Sequence, residues 1–194
     1  GIETATNICS VALVKDGKLL AIRESAGDKE HSAALTGFIS EVFTEAGLTY
    51  PQMDAVAISM GPGSYTGLRI GVSSAKGLCY ALDKPFIAVD TLKSLAWQAL
   101  QKYKQLEKST DNVLFVPMLD ARRMEVYTAV YDHNLQVLEP VNALVVTEEA
   151  FSAFTGKDIL YFGDGASKCT PLLGSNDMFT FLDEISLSGE AICR

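Results

Sequence analysis

Apolar positions along the chain fall into short runs broken by glycine and polar turns, and the order of those runs occurs twice. Residues 8–14 (ICSVALV) and 18–23 (KLLAIR) flank Lys15-Asp16-Gly17, and Asp-Gly between apolar runs predicts a tight β-hairpin. Leu35, Phe38, Ile39, Val42, Phe43 and Ala46 then recur at helical spacing, with Ser32 placed to cap the helix and Gly47 to end it. Residues 54–60 (DAVAISM) read as a buried strand running into Gly61-Pro62-Gly63. A helix is expected over about 67–82 and a short strand over 85–89.

The second half follows the same order. Residues 113–119 (VLFVPML) predict a strand, 125–131 and 135–146 a hairpin around His133-Asn134, and 147–154 a helix capped by Thr147. Residues 159–162 predict a strand entering Gly163-Asp164-Gly165, with a helix to about Leu173. A linking helix over 92–108 carries Leu92, Leu95, Ala96, Ala99, Tyr103 and Leu106 on one face. Each half thus reads strand-strand-strand-helix-strand, a glycine pair and a helix. Such duplication implies two similar lobes with a cleft between them; the competing expectation is a single mixed sheet flanked by helices. The expected division is 1–91 for an N-terminal lobe and 92–194 for the linking helix and C-terminal lobe. The chain opens on Gly1-Ile2-Glu3 as if at a strand end, so a few residues are expected in front and a terminal helix behind Arg194.

Composition narrows the classes of function. Of 194 residues 48% are apolar, enough for a core without covalent staples. The net charge of −8, from 24 acidic and 16 basic residues, argues against a chain that grips nucleic acid by itself, because phosphate neutralisation needs clustered Lys and Arg. Cys9, Cys79, Cys169 and Cys193 are scattered without a C-x-x-C pair. That predicts neither a disulfide framework nor a zinc site and suits a reducing, cytoplasmic setting. No apolar run reaches the roughly 18 residues of a membrane span, and no signal-peptide pattern is present.

The stretch Ser59-Met60-Gly61-Pro62-Gly63-Ser64-Tyr65-Thr66-Gly67-Leu68-Arg69-Ile70-Gly71 carries the most chemical information. A strand turning through glycines into a helix can face an anion with backbone N–H groups and the helix dipole. The third glycine falls one residue late for G-x-G-x-x-G, no Gly-Lys-Ser/Thr follows, and Ser64 lacks the G-x-S-x-G context of a nucleophile. Two readings stand: a present or former phosphate site, or a tight turn that merely needs glycine.

Glu3-Thr4-Ala5-Thr6 ahead of a strand, then GPGSYTGLRIG, then Met118-Leu119-Asp120-Ala121-Arg122-Arg123-Met124-Glu125-Val126-Tyr127, together resemble the TsaB (YeaZ) family over residues 3 to about 165. The resemblance implies an α/β chain with the actin-like ATPase (ASKHA) fold, two duplicated lobes each with a mixed sheet flanked by helices. It implies a bacterial cytoplasmic protein that pairs with TsaD, the catalytic paralogue. With TsaE, and threonylcarbamoyl-adenylate from a separate enzyme, the pair modifies adenosine 37 of tRNAs reading codons that start with A. On this reading tRNA is met only through the complex.

The catalytic paralogue carries H-x-x-x-H after its fifth strand, and two imidazoles four apart on a helix can share a metal ion. The matching stretch here is Val89-Asp90-Thr91-Leu92-Lys93-Ser94-Leu95, with Thr91 and Leu95 where the histidines stand. Thr91 is expected to cap the helix and Leu95 to join its apolar face, so neither a catalytic residue nor a metal site is expected. His133 reads as a solvated turn residue and His31 as a surface or capping residue. Glu3 and Asp120 follow the first strands of the two lobes. With Thr4, Gly61, Gly63, Ser64 and Thr66 they are expected to form an inherited nucleotide or phosphate cleft. No cofactor of the chain's own is expected; ATP or ADP is placed at the interface with TsaD.

Gly67, Gly71 and Ala75 recur at i, i+4 and i+8, with Leu68 and Val72 beside them. Glycine inside a helix costs about 1 kcal/mol relative to alanine, so packing, against the chain's own sheet or another helix, is expected to require it. Leu35, Phe38, Ile39 and Val42 offer a second apolar surface. The resemblance implies that both helices pair with the same helices of TsaD in a pseudo-symmetric four-helix contact, and that the chain alone forms a homodimer. On that expectation Gly71→Arg or Val72→Glu removes partner binding and leaves the fold intact. The alternative functions are an active metal-dependent peptidase-like or ATP-using enzyme of the same superfamily, or a pure interaction module.

Overall fold

The computed structural model describes residues 1–26, 31–107 and 109–194, with the side chains of Ala26, His31 and Ser32 outside that description. The Ser32 cap, the reading of His31 and the expected helix end at Lys108 therefore lie outside the described residues.

The chain forms two units, residues 1–94 with 187–194, and residues 95–186. In the first, β1 (Ile2–Glu3), β2 (Ile8–Lys15), β3 (Lys18–Ala26), β4 (Val56–Ser59) and β5 (Phe86–Val89) build a sheet in the order β3-β2-β1-β4-β5. β1 runs antiparallel to β2 and parallel to β4. The β2–β3 turn places Asp16 at φ 50° and Gly17 at φ 70°, the two left-handed positions a two-residue hairpin needs. β2 is apolar on both faces because both are covered. Cys9 and Val11 join Ile2 and Ile58 in a core closed by α1 (His31–Ala46) and α2 (Tyr65–Leu82). Ser10, one residue out of phase, points the other way and meets α5 (Gly189–Ile192).

The second unit repeats the plan. β6 (Val113–Asp120), β7 (Glu125–Tyr131), β8 (Val137–Val145), β9 (Asp158–Phe162) and β10 (Phe179–Phe181) lie in the order β10-β9-β6-β7-β8. β6 pairs antiparallel with β7 and parallel with β9, as β1 does with β2 and β4. Strand order and pairing sense are thus the same in both units, and the single-sheet expectation is overturned. Leu114, Val116, Met118, Val126, Ile159, Tyr161 and Leu173 centre the second core.

Four expectations need correction. Residues 147–154 form turns and one 3₁₀ turn (Ser152–Phe154), because Phe151 adopts φ 69° and packs edge-on against Phe179 at 6.3 Å. The expected helix to Leu173 is a 3₁₀ turn (Ser167–Cys169) followed by the single-turn α4 (Thr170–Leu173). The linking helix is α3 (Thr91–Gln105), and its cap is Asp90, whose Oδ1 accepts the Lys93 N–H at 2.8 Å; Thr91 is engaged elsewhere. The division falls between Ser94 and Leu95, and residues 187–194 return to the first unit, where Leu187, Gly189, Ala191 and Ile192 are buried.

Candidate functional site

The glycine-rich loop leaves β4 and enters α2, and three of its N–H groups are spent inside the protein. Gly61 N–H donates to Thr91 Oγ1 at 3.0 Å, Ser64 N–H to the Ala5 carbonyl at 2.6 Å, and Gly67 N–H to the Ser64 hydroxyl at 3.2 Å. A Cβ on Gly63 would overlap the Ala5 carbonyl and sit 2.7 Å from Ala5 Cβ; one on Gly67 would overlap the Thr4 carbonyl. These glycines are therefore required by the approach of β1's end to α2. Ser64 and Thr66 stand exposed at the start of that helix. The turn's need for glycine is thus met at Gly63 and Gly67, and the N–H groups of Gly61, Ser64 and Gly67 point into the protein.

Glu3 ends β1 fully buried. Its Oε1 accepts from Ala5 N–H at 2.5 Å and from the Ser59 hydroxyl at 2.9 Å, while Oε2 has no hydrogen-bond partner among the described residues. Burial pushes the carboxyl from 4.5 up to about 7, against the pull of those donors. Thr4 is equally buried, its hydroxyl facing Gly71 of α2.

Asp120 occupies the matching end of β6 in the second unit, and is exposed. Its Oδ1 accepts from Arg122 N–H at 3.2 Å and pairs with Lys168, whose ammonium also donates to the Glu125 carbonyl at 2.7 Å. Asp120 N–H in turn donates to Asp164 Oδ1 at 3.0 Å. Each unit thus closes its first strand with a carboxylate bonded to the N–H two residues on, Ala5 for Glu3 and Arg122 for Asp120. The sequence reading missed Lys168, although it is the one basic residue between Lys157 and Arg194.

The expected partner surface is largely interior. Leu35, Ile39 and Val42 are 1%, 6% and 0% exposed and belong to the first unit's core, so α1 does not offer them to a partner. Gly67, Gly71 and Ala75 are the buried stripe of α2, turned toward its own sheet. Phe38 is half-buried on α1, and on α2 the half-buried Leu68 and Val72 line a shallow depression with Tyr65, Arg69 and Ser73. Tyr65 is 74% exposed. The Arg69 guanidinium lies 5.3 Å from its ring centre and donates to its hydroxyl at 3.1 Å. Leu35→Ala is accordingly expected to cost about 2–5 kcal/mol in denaturant unfolding while leaving partner affinity unchanged.

Thr91 and Leu95 likewise have internal duties. The Thr91 hydroxyl is the acceptor for Gly61 N–H, and Leu95 is 1% exposed in the core. Among the described residues no group of three or more His, Cys, Asp or Glu side chains is placed to hold a metal ion, and no helix is long and apolar enough to cross a membrane.

Residues 23–168 match the family "TsaD: tRNA N6-adenosine threonylcarbamoyltransferase". The chain is 37% identical over 133 residues to the tRNA threonylcarbamoyladenosine biosynthesis protein TsaB of Escherichia coli K12, covering 69% of this chain and 54% of that protein. It is 36% identical over 126 residues to the protein of the same name from Haemophilus influenzae, covering 65% of this chain and 50% of that one. The chain therefore spans about half the length of the curated relatives it matches. In fold it is similar to YeaZ from Pseudomonas aeruginosa, with a TM-score of 0.81 over 99% of this chain and 86% of that one at 23% identity.

Proposed function

The chain belongs to the TsaD family of tRNA N6-adenosine threonylcarbamoyltransferases, on its TsaB (YeaZ) side, and from this we propose that it is a non-catalytic subunit of threonylcarbamoyladenosine formation on tRNA. In this reading it binds a TsaD-type transferase in the cytoplasm and supports threonylcarbamoyl transfer to adenosine 37, with TsaE joining the pair and tRNA held by the complex. ATP or ADP sits where the two proteins meet, since this chain's own loop has no N–H groups to spare at Gly61, Ser64 and Gly67.

One observation carries the non-catalytic part. The two positions that answer to the paralogue's histidines are a threonine bonded to the glycine loop and a leucine in the core, and both now serve the fold. The outer face of α2 is the docking surface in this reading, because its half-buried Leu68 and Val72 and exposed Tyr65 form an apolar patch beside a cation. Sedimentation velocity tests the pairing. The chain mixed with a TsaD-type transferase is expected to give a one-to-one complex, and alone a homodimer; species that sediment independently in the mixture would refute it.

A further inference from the structure

A polar row, buried at Ser10, Glu3 and Ser59 and exposed at Glu24, crosses the first sheet on the face away from α1 and α2. Glu24 on β3 lies opposite Ser10 on β2, and Ser10 lies opposite Glu3 on β1, which bonds Ser59 on β4. Ser10 is the hinge of the row: its hydroxyl donates to Glu24 Oε1 at 2.7 Å and accepts the Gly189 N–H at 2.8 Å. That last bond seats the short α5 segment, whose Gly189 is tightly enclosed, with Ala12 N and the Gly1 carbonyl each 3.0 Å from where a Cβ would lie. Glu3 is thus a carboxyl with one oxygen unpartnered among the described residues, next to the residue that anchors the cover.

We propose that Glu3 is a proton-operated latch for residues 187–194, which lie closed over the sheet while Glu3 is protonated and lift when it ionises. A buried, unpaired carboxylate is costly, and its cheapest relief is water admitted by opening a neighbouring segment. The neighbour here is a four-residue helix, seated by the Ser10–Gly189 bond and by buried Leu187, Ala191 and Ile192. Among the described residues the titratable or charged groups around Glu3 are few. β2 brings Cys9, whose thiol burial pushes up to about 11 and which stays protonated through neutral pH. β3 brings Glu24, already bonded to Ser10. The 187–194 segment carries Glu190 and Arg194, paired with each other at 2.6 Å, and the Gly1 ammonium donates to the Ala12 carbonyl. β4 contributes only the Ser59 hydroxyl, and α2 its glycine face. No cation compensates an ionised Glu3 in this set.

The sign follows from the carboxyl being raised in the closed form, from 4.5 to about 7. Closure is favoured below its ordinary value, and that preference is lost as pH rises through 7. Amide hydrogen exchange at residues 189–192, corrected for intrinsic rates, is expected to show protection falling about ten-fold between pH 6 and pH 8. Glu3→Gln, which keeps the acceptor for Ala5 and Ser59 and cannot ionise, is expected to abolish that fall. Ser10→Ala is expected to lower protection at both pH values. Equal protection at pH 6 and 8 in the unaltered protein, or the same fall in Glu3→Gln, overturns the latch. If Glu3→Gln fails to fold, NMR of the unaltered protein decides. The Glu3 carboxyl carbon and the Gly189 amide are expected to titrate together near 7, and a Glu3 midpoint below 5 or a still Gly189 amide overturns the proposal.

Discussion

Gly71→Arg is expected to unfold the first unit and leave no soluble, folded protein whose partner affinity could be measured. The first added carbon already overlaps the Thr4 hydroxyl and comes within 2.8 Å of Ile58 Cδ1. Both neighbours are fixed, for Thr4 follows directly on the central strand and both residues are fully buried. One surplus methyl in such a place costs about 1–3 kcal/mol, and the rest of the side chain would bring an unpaired guanidinium into the core. Against a total stability of about 5–15 kcal/mol this is enough to unfold a small unit. Gly77→Ala on the same helix is the control. A Cβ there meets nothing within 4 Å, so the change is expected to stabilise by about 0.5–1 kcal/mol. Circular dichroism melts of the two variants decide it: a Gly71→Arg protein that melts like the unaltered one would show that α2 does not pack as described.

Tyr65→Ala and Val72→Glu are expected to have the opposite signature, with partner binding weakened at least about 30-fold and melting temperature moved by only a few degrees. Tyr65 is 74% exposed and contributes nothing to the core, so its loss tests the surface alone. Val72 is half-buried at the core's edge, where a glutamate can still reach water while placing a charge in the apolar patch. Calorimetric titration into the TsaD-type transferase, beside melts of each variant, separates binding from folding. Unchanged affinity in both variants would remove the outer face of α2 from the interface.

These paired outcomes reflect which features were legible in the sequence. The duplication was legible because strand-forming runs and glycine pairs recur in order at 54–63 and 159–165, and register depends on that alternation. Burial of a helix face was legible as a stripe, but its partner was not. Leu35, Ile39 and Val42 have the same spacing whether they meet a sheet of the same chain or a helix of another. Gly71 faced the same ambiguity, settled only by the Thr4 hydroxyl across from it. The Phe151 break was invisible because its left-handed backbone is imposed by packing on Phe179, a residue distant in sequence. Glu3 was identified as a strand-end carboxylate, yet its partners Ser59 and Ala5 and its place beside Ser10 depend on strand pairing. The segment 187–194 carries no periodic pattern, and its place under the first sheet depends on a single well-fitted glycine at 189.

The central claim is that this chain enables modification of adenosine 37 without performing the chemistry. Reconstitution addresses it most directly. A TsaD-type transferase, TsaE, ATP, threonylcarbamoyl-adenylate and unmodified tRNA are assayed for threonylcarbamoyladenosine by mass spectrometry, with and without this chain, and with the chain in place of the transferase. The account predicts product only when chain and transferase are both present, and none from the chain alone. Product from the transferase at the same rate without the chain, or from the chain without the transferase, would contradict it.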